Sequence, residues 1–510
     1  MAIKIAMLII FFGVMVYVGI RARHSTKDVN GFVLGGRGIG PWLSSFAYGT
    51  SYFSAVIFIG YAGQFGWKFG IASTWIGIGN AVLGSLLAWV ILGRRTRLMT
   101  QHYGSATMPQ FFGERYESRA LKIAAAIIVF IFLIPYTASL FNGLSRLFEM
   151  AFGIDYTVCI ILMSVLTCVY VVIGGYLATA INDFIQGIIM LFGIVAVIIA
   201  VLNDNGGFTE AISSLSKVEV AGNNPGAFAS FFGPDPIGLL SVVILTSLGT
   251  WGLPQMVGKF YAIKDESAIK KGTIISTLFA MVVAGGCYFL GGFGRLYDVD
   301  VNAVGFDAII PKMLENLPAL LMGIVVILVL SASMSTLSSL VMTSSSTITL
   351  DIIAAHMKKD LSEKKKLFIM RIFLAVFIVI SAALAIYQYK GNSEAVGFIA
   401  QMMGLSWGAL AGAFLAPFLY GLYIKKTSKA AVWTCFILGP VGMIATTLLR
   451  SHLPTSFQSP IVCGALVMIA GLILVPIISL FSRKKPSQAV EDAFEVYNTP
   501  VEASAKEHLK

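Results

Sequence analysis

The chain has 510 residues, of which 57% are hydrophobic and 12% are charged, and its mean hydropathy is +0.84. Soluble domains carry about 25% charged residues, so this composition excludes an ordinary soluble protein and predicts an all-α polytopic membrane protein. The net charge of +11 is spread over short segments between apolar runs. Such charges set membrane topology, and without a separate basic domain we expect no nucleic-acid partner.

Apolar runs of helical length predict about 13 membrane spans. Most of the 36 Lys and Arg residues fall in alternate connecting segments, which predicts an N-terminus outside and a C-terminus inside the cell. The predicted spans are residues 3–20, 41–64, 71–93, 122–148, 155–175, 180–203, 236–257, 272–293, 317–350, 367–388, 394–421, 429–449 and 459–481.

Two of these spans contain residues that interrupt helices. Span 41–64 holds a weakly helical run from Ser44 to Ser54, and span 236–257 holds Gly249-Thr-Trp-Gly252-Leu-Pro254. They lie five spans apart and run in opposite directions in the predicted topology. Interrupted helices at corresponding places in two halves indicate an inverted-repeat transporter with a binding site near the membrane midplane. Glycine and proline also occur in ordinary membrane helices, and this pattern alone leaves that alternative open.

The repeat divides the chain into regions of different expected roles. They are a first span with a cytoplasmic linker (1–40), a first repeat (41–203), an external loop (204–235), a second repeat (236–421), two C-terminal spans (422–485) and a disordered cytoplasmic tail (486–510).

Hydroxyl groups line one face of span 317–350. Ser335, Ser338 and Ser339 are spaced i, i+3 and i+4, and Thr336 lies at the edge of the same face. Hydroxyl oxygens can bind a small hard cation. Membrane serines and threonines also bond back to their own helix or pack helices closely, which is the structural alternative for each of them.

A break in span 41–64 would free backbone carbonyl groups near Thr50 and Phe53, because residues at helix ends lack intrahelical partners. These carbonyls and the hydroxyls of Ser335 and Thr336 would together form an oxygen shell. We therefore expect a cation site between the two spans.

Asp183 is an acidic residue beside the apolar run Ile188–Leu202. A charge at membrane depth costs about 2.5–3.5 kcal/mol, so it needs a partner, water or an ion. Asp183 could complete a second cation site with Ser338 and Ser339. Alternatively, it caps the N-terminus of a helix near the cytoplasmic surface, where an acid is favoured.

The five cysteines form no CxxC pair, and no Ser/His/Asp, Cys/His or metal-ligand motif is evident in the sequence. We therefore expect neither an enzyme nor a resident cofactor.

Five motifs together resemble the sodium/solute symporter family, and the resemblance covers about residues 5–485. They are Gly35-Gly36-Arg37, Gly49-x-Ser51-x-x-Ser54, Gly174-Gly175 followed by Asp183-x-x-Gln186, Met334-Ser-Thr-Leu-Ser338 and Thr347-Ile-Thr-x-Asp351.

The resemblance implies a five-helix inverted repeat with one extra N-terminal and two extra C-terminal helices. It implies a sodium site at the carbonyls of Thr50 and Phe53 and the hydroxyls of Ser335 and Thr336. Some members bind a second sodium ion, whose ligands would match Asp183, Ser338 and Ser339.

Within the family the chain looks most similar to sodium/proline permeases. It departs from their pattern at Tyr52, where they have Asp, and at Thr246 and Thr250, where they have Trp and Tyr. Trp251 is adjacent and is a candidate substitute. The expected solute-binding residues are Tyr52, Ser54, Tyr136, Thr246, Thr250 and Trp251.

The function implied is sodium-coupled import of a small organic solute by alternating access. The solute would be a proline-like amino acid or another carboxylate. Proton coupling through Asp183 and a transporter-derived solute sensor are the alternatives. We expect sodium as the coupling ion, a monomeric transport unit and a multi-pass location in the lipid bilayer of a bacterial inner membrane.

Overall fold

The structure is a computed structural model, and it describes residues 2–22, 28–219, 222, 224–357, 361–391, 398–482 and 485–502. Residues 394–397 of the predicted span 394–421 and residues 503–510 of the predicted tail lie outside the described residues.

The first half of the described chain is helical. Its helices are α1 Ala2–Ala22, α2 Val29–Leu34, α3 Pro41–Tyr52, α4 Ala62–Phe69, α5 Thr74–Gly79, α6 Arg94–His102, α7 Met108–Arg115, α8 Arg119–Phe152, α9 Tyr156–Asp204 and α10 Phe208–Ser216. A π-helical stretch, Val56–Tyr61, leads into α4, and two more, Asn80–Leu87 and Trp89–Gly93, join α5 to α6. The helix α10 lies inside the region predicted as an external loop.

The second half has the same character. Its helices are α11 Pro236–Leu248, α12 Pro254–Tyr261, α13 Glu266–Gly291, α14 Val301–Val304, α15 Ile309–Leu314, α16 Ala319–Thr347, α17 Ala354–His356, α18 Glu363–Gly391, α19 Phe398–Tyr423, α20 Lys429–Leu448, α21 Pro460–Leu480 and α22 Gln488–Glu495. A π-helical stretch, Ile348–Ile353, joins α16 to α17.

Among the described residues, 10 helices are long and apolar enough to cross a membrane, and the bent pair formed by α11 and α12 raises the number to 11. The number of 13 therefore remains a prediction. The difference arises at two places. Val56–His102 counts as one stretch although Gly70 interrupts it, and Tyr156–Val169 is a shorter apolar helix.

The two interrupted spans break with the same backbone geometry. Phe53 ends α3 with φ −81° and ψ 122°, and Leu253 separates α11 from α12 with φ −85° and ψ 119°. Phe53 and Ser54 lie outside any helix at the first break, and Leu253 does so at the second. This equivalence fits the expected inverted repeat, in which each half contributes one broken helix.

The Gly35-Gly36-Arg37 motif fixes the segment before α3. Gly35 and Gly36 have φ values of 58° and 70°, a region that favours glycine. Arg37 is buried, and its guanidinium donates to the carbonyls of Tyr261 and Ser105 at 3.1 and 2.8 Å. The motif thereby ties the start of the first broken span to the end of the second.

The segment from α22 to residue 502 packs on the predicted cytoplasmic side. Arg94 of α6 donates to the carbonyls of Tyr497 and Thr499 at 2.9 and 2.8 Å, and Val501 is buried. The composition predicts disorder over 486–510, whereas the described part, from α22 to residue 502, is held in place. The reason is that arginines far away in the sequence bind its carbonyl groups.

Candidate ion and solute site

The break after α3 exposes backbone oxygens inside the protein. The last carbonyl groups of α3 lack partners one turn ahead, because the helix stops at Tyr52 and Phe53 is extended. Helix α13 packs closely here, since a Cβ atom on Gly49 would lie 2.4 Å from Cδ1 of Phe279. The glycine therefore permits the contact that holds the end of α3 in place.

Helix α16 presents two fully buried hydroxyl groups to this break. The Ser335 hydroxyl lies 3.1 Å from the Thr50 carbonyl oxygen. The Thr336 hydroxyl lies 3.3 Å from the carbonyl oxygens of Thr50, Ser51 and Phe53 and 3.1 Å from that of Ala332. The structure thus brings together all four residues predicted for the sodium site, and it adds Ser51.

This oxygen cluster contains more acceptors than protons. The hydroxyl of Thr336 has one hydrogen and can donate to only one of the four carbonyl oxygens around it. The remaining close contacts are between electron-rich oxygens, which a cation among them would stabilise. A set of neutral oxygens converging in this way suits a small hard cation.

Aromatic and hydroxyl side chains lie beside the cluster. The ring of Trp407, from α19, is 5.8 Å from those of both Tyr52 and Tyr136, measured between centroids. The Tyr136 hydroxyl faces Ser54 and the indole N–H of Trp407 without an aligned hydrogen bond. Buried polar groups without partners are costly, so these groups are candidates to bind a solute.

The Tyr52 hydroxyl extends this group toward the second broken span. It faces Thr246 and Tyr288 and also lacks an aligned hydrogen bond. Tyr52 and Thr250 line a small cavity of about 10 Å³ between α3 and α11. Two of the predicted solute residues, Tyr52 and Tyr136, therefore flank Trp407, and a third, Ser54, lies at the Tyr136 hydroxyl.

The other three predicted residues bond to the segment between α5 and α6. The Thr246 hydroxyl lies 2.9 Å from the Asn80 side-chain oxygen, and the Thr250 hydroxyl lies 3.2 Å from the Gly84 carbonyl oxygen. The Trp251 indole N–H donates to the Leu83 carbonyl at 2.9 Å. The Trp251 indole is therefore held by this segment and not by the residues around Trp407. Thr246 and Thr250 contact this segment and also lie near Tyr52.

Trp407 and Tyr288 are missing from the sequence prediction. Neither belongs to a motif, and both lie inside long apolar helices, where an aromatic residue is ordinarily a packing residue. Trp407 packs on the second broken span, since a Cβ atom on Gly249 would lie 3.3 Å from its ring. An aromatic residue facing a helix break can be found only after the helices are assembled.

Asp183 lies within α9 and does not cap a helix. The only non-helical residue inside α9 is Gly175, about two turns earlier, so Asp183 lies well inside the second part of the helix. One carboxylate oxygen is 3.6 Å from the ammonium nitrogen of Lys259, and both side chains are buried. Lys259 comes after the predicted span 236–257, yet it lies in the protein interior.

Ser338 and Ser339 do not donate to Asp183. Both hydroxyls lie within hydrogen-bond distance of the Ser335 carbonyl, at 2.9 and 3.1 Å, and Ser339 also contacts the Ser51 hydroxyl at 2.8 Å. The three residues predicted for a second sodium ion therefore form no shell like that of the first cluster.

A cavity of about 40 Å³ lies on the predicted cytoplasmic side of these residues. Its lining includes Lys259, Gln255, Tyr176 and Ser339. It reaches the segment before α7 through Thr107. Lys259 therefore borders this cavity, and Ser339 connects it to Ser51 of the oxygen cluster at 2.8 Å.

The sequence is similar to those of bacterial proline transporters. It is 29% identical to the osmoregulated proline transporter of Bacillus subtilis over 498 residues, which cover 96% of each chain. It is 28% identical to the sodium/proline symporter of Salmonella typhimurium over 465 residues, or 87% of this chain and 88% of the relative.

Solved structures show the same fold. A Na⁺-coupled sialic acid symporter matches with a TM-score of 0.73 at 18% identity, over 95% of this chain and 99% of the other. A nucleobase-cation-symport-1 family transporter, Mhp1, matches with a TM-score of 0.53 at 13% identity, over 92% and 99% of the two chains.

The profile of the Sodium:solute symporter family matches residues 32–439, which include both broken spans, the oxygen cluster and the aromatic group. The apolar helices of the described chain and its bacterial relatives fit a multi-pass protein of a bacterial inner membrane. The chain therefore belongs to the sodium:solute symporter family.

Proposed function

We propose that this protein couples sodium entry to the import of a small organic solute that bears a carboxylate, with a proline-like amino acid as the first candidate. The observation that carries the proposal is the oxygen cluster at the break of α3. There, two hydroxyl groups on α16 meet three carbonyl oxygens with too few protons to bridge them.

Sodium binding at this cluster would join two parts of the protein. Thr50, Ser51 and Phe53 belong to the broken helix, whereas Ser335 and Thr336 belong to α16. An ion that binds both parts stabilises the arrangement in which they touch. Because Tyr52 and Ser54 alternate with the ion-binding carbonyls along the chain, fixing those carbonyls also positions the solute residues. Sodium and solute thus favour the same state, which is the requirement for coupling.

The solute site favours a small, partly apolar molecule. The rings of Tyr52, Tyr136 and Trp407 would pack against an apolar ring or chain. The unpartnered hydroxyls of Tyr52, Ser54 and Tyr136 and the Trp407 indole N–H can donate to a carboxylate. None of these groups is charged, and the two relatives compared above are both named as proline transporters.

The proposed cycle is alternating access with a monomeric transport unit, since the ion and solute residues all come from one chain. Sodium binds first from outside and completes the solute site. Occlusion and inward opening then release both ligands toward the cavity lined by Lys259 and Thr107. Each sodium ion that crosses contributes about 2.3 kcal/mol per 100 mV of inward-negative potential.

The test is uptake of radiolabelled proline into proteoliposomes under a sodium gradient or a choline gradient at fixed pH. Thermal unfolding of the purified protein, with proline and a panel of other carboxylates, amino acids and sugars, identifies the solute, because a ligand of the native state raises the midpoint. We expect one solute class to stabilise the protein only with sodium present.

Equal stabilisation in choline would contradict sodium coupling. Uptake driven by a pH gradient in choline would favour proton coupling through Asp183.

A further inference from the structure

The ion pair between Asp183 and Lys259 differs from the other buried Lys–Asp pair of the described chain. The Asp351 carboxylate lies 3.7 Å from the Lys122 ammonium and also accepts a hydrogen bond from the Thr107 hydroxyl at 2.7 Å. The Asp183 carboxylate has the Lys259 ammonium at 3.6 Å and no hydrogen bond from any described residue. The compensation of its charge therefore depends on this one cation.

The lysine is buried as completely as its partner. The exposed fractions of the two side chains are 5% for Lys259 and 0% for Asp183. A buried ion without an opposite charge is unstable in a protein interior, so each member of the pair requires the other. The Lys259 ammonium also lies 5.2 Å from the ring centroid of Tyr176, where the π-face adds a weaker attraction.

The pair lies next to the oxygen cluster. Gly187 is one helical turn beyond Asp183, and a Cβ atom there would lie 3.1 Å from the Thr50 methyl group. Thr50 also supplies a carbonyl to the cluster, so α9 packs against the residue that links the two sites. The Asp183 carboxylate is where a second cation would have to bind if Asp183 were its ligand.

We propose that the Lys259 ammonium takes the place of a second sodium ion, so that this transporter binds one sodium ion for each solute. The inference rests on the proposed sodium coupling and adds the number of ions to it. Lys259 is covalently attached to α12, the inner half of the second broken span, so its charge stays with the protein throughout the cycle.

This arrangement links the two halves of the repeat without a diffusible ion. Asp183 belongs to α9 in the first repeat and Lys259 to α12 in the second. A sodium ion at the same place would join those parts only at sufficient sodium concentration. The tethered ammonium is present at any sodium concentration, so the contact between α9 and α12 forms independently of sodium.

The test is to count sodium ions with purified protein and with proteoliposomes. Binding of ²²Na⁺ at saturation gives the ions per protein, and the sodium dependence of solute uptake gives the Hill coefficient. For the unmodified protein we expect one ion and a Hill coefficient near 1. Lys259→Met removes the ammonium and keeps an unbranched side chain, so we expect a second bound ²²Na⁺ and a Hill coefficient rising toward 2.

Two further variants assign the second ion to Asp183. Lys259→Met combined with Asp183→Asn lacks both charges and should bind one ion again. Lys122→Met is the matched control at the other buried pair and should also bind one ion. If Lys259→Met does not fold, Lys259→Gln carries the same test, because its amide can donate to Asp183 without a positive charge.

Two bound ions in the unmodified protein, or one ion in both folded Lys259 variants, would overturn the inference. Two bound ions together with sodium-dependent uptake would still support the proposed symporter function. Solute uptake without any sodium dependence would instead remove the proposed function and the inference together.

Discussion

Two neighbouring regions of this protein satisfy buried polar groups by opposite means. At the break of α3, carbonyl and hydroxyl oxygens converge without a charged side chain, and the Thr336 hydroxyl lies among four carbonyl oxygens. On α9, whose Gly187 packs against Thr50, Asp183 and Lys259 balance each other as full charges. The first region has an excess of acceptors that a mobile cation can relieve, whereas the second contains its own cation.

The contrast explains why one region can exchange ions and the other need not. Neutral oxygens hold a cation moderately and can release it, and they need no proton or counter-ion afterwards. A buried carboxylate that loses its cation is left with an uncompensated charge. Placing the exchangeable ion among neutral groups and the permanent cation beside the carboxylate separates these two tasks.

The largest expected effect comes from removing one charge of the permanent pair. Asp183→Asn leaves the Lys259 ammonium buried without an opposite charge, and we expect the free energy of unfolding to fall by about 3–5 kcal/mol. Thermal unfolding of the purified protein measures this. The control is Glu315→Gln at the exposed pair with Lys312, which should leave the free energy of unfolding nearly unchanged. Equal losses in the two variants would contradict the distinct role of the buried pair.

The second effect concerns the neutral oxygens. Thr336→Val removes the hydroxyl and preserves the shape of the side chain. Loss of one oxygen contact to an ion is worth about 1.5–3 kcal/mol, so the sodium concentration for half-maximal uptake should rise about 10- to 100-fold. Ser333→Ala on the same helix is the control, because that hydroxyl donates to the Val329 carbonyl at 2.8 Å. An unchanged sodium dependence in Thr336→Val would remove the site.

Asp307, between α13 and α16, extends the comparison to a buried acid that relies on a backbone partner. Its carboxylate accepts a hydrogen bond from the Ile399 N–H at 3.5 Å, and burial raises its pKa to about 6. An unfolded aspartate has a pKa of about 3.9. Between these values the folded protein holds a proton that the unfolded chain has released, so this group's stabilising contribution falls as the pH rises from about 4 to about 6.

Asp307→Asn mimics the protonated acid at every pH. We expect it to be more stable than the unmodified protein by about 3 kcal/mol at pH 8, with the advantage shrinking at pH 5. Thermal midpoints at the two pH values test this. An advantage that grows on acidification would have the wrong sign and would exclude the raised pKa.

The smallest effect separates the solute groups from the ion. Tyr136→Phe removes a hydroxyl that has no aligned partner among the described residues. We expect the solute concentration for half-maximal uptake to rise about 3- to 10-fold with the sodium Hill coefficient unchanged. Tyr420→Phe is the control, since that hydroxyl donates to the Leu472 carbonyl at 2.8 Å. A changed Hill coefficient in Tyr136→Phe would show that the two groups are not separate.

The helical fold and the oxygen cluster could be predicted because their signals are local. The breaks follow from glycine, proline and weakly helical residues within single spans. Ser335 and Thr336 are adjacent in sequence, so only the partner span had to be identified. The number of spans depends on how interruptions are counted, because Gly70 divides one apolar stretch and Tyr156–Val169 is short.

The charge pair and the aromatic group could not be predicted in this way. Lys259 follows the predicted span 236–257 and has the spacing of an ordinary topology-setting lysine, and only assembly of the helices brings it to Asp183. Trp407 likewise gains its position from the packing of α19 against Gly249. Both depend on contacts between residues far apart in the chain, for which a single sequence carries no periodic signal.

The contact between α6 and the segment that follows α22 has a consequence for biosynthesis. Ribosomes make proteins from the N-terminus, so Arg94 emerges about 400 residues before Tyr497 and Thr499, the residues whose carbonyls it binds. During that interval its guanidinium lacks these partners. These contacts can therefore form only after the segment beyond α21 has been made, and a product that stops after α21 lacks them.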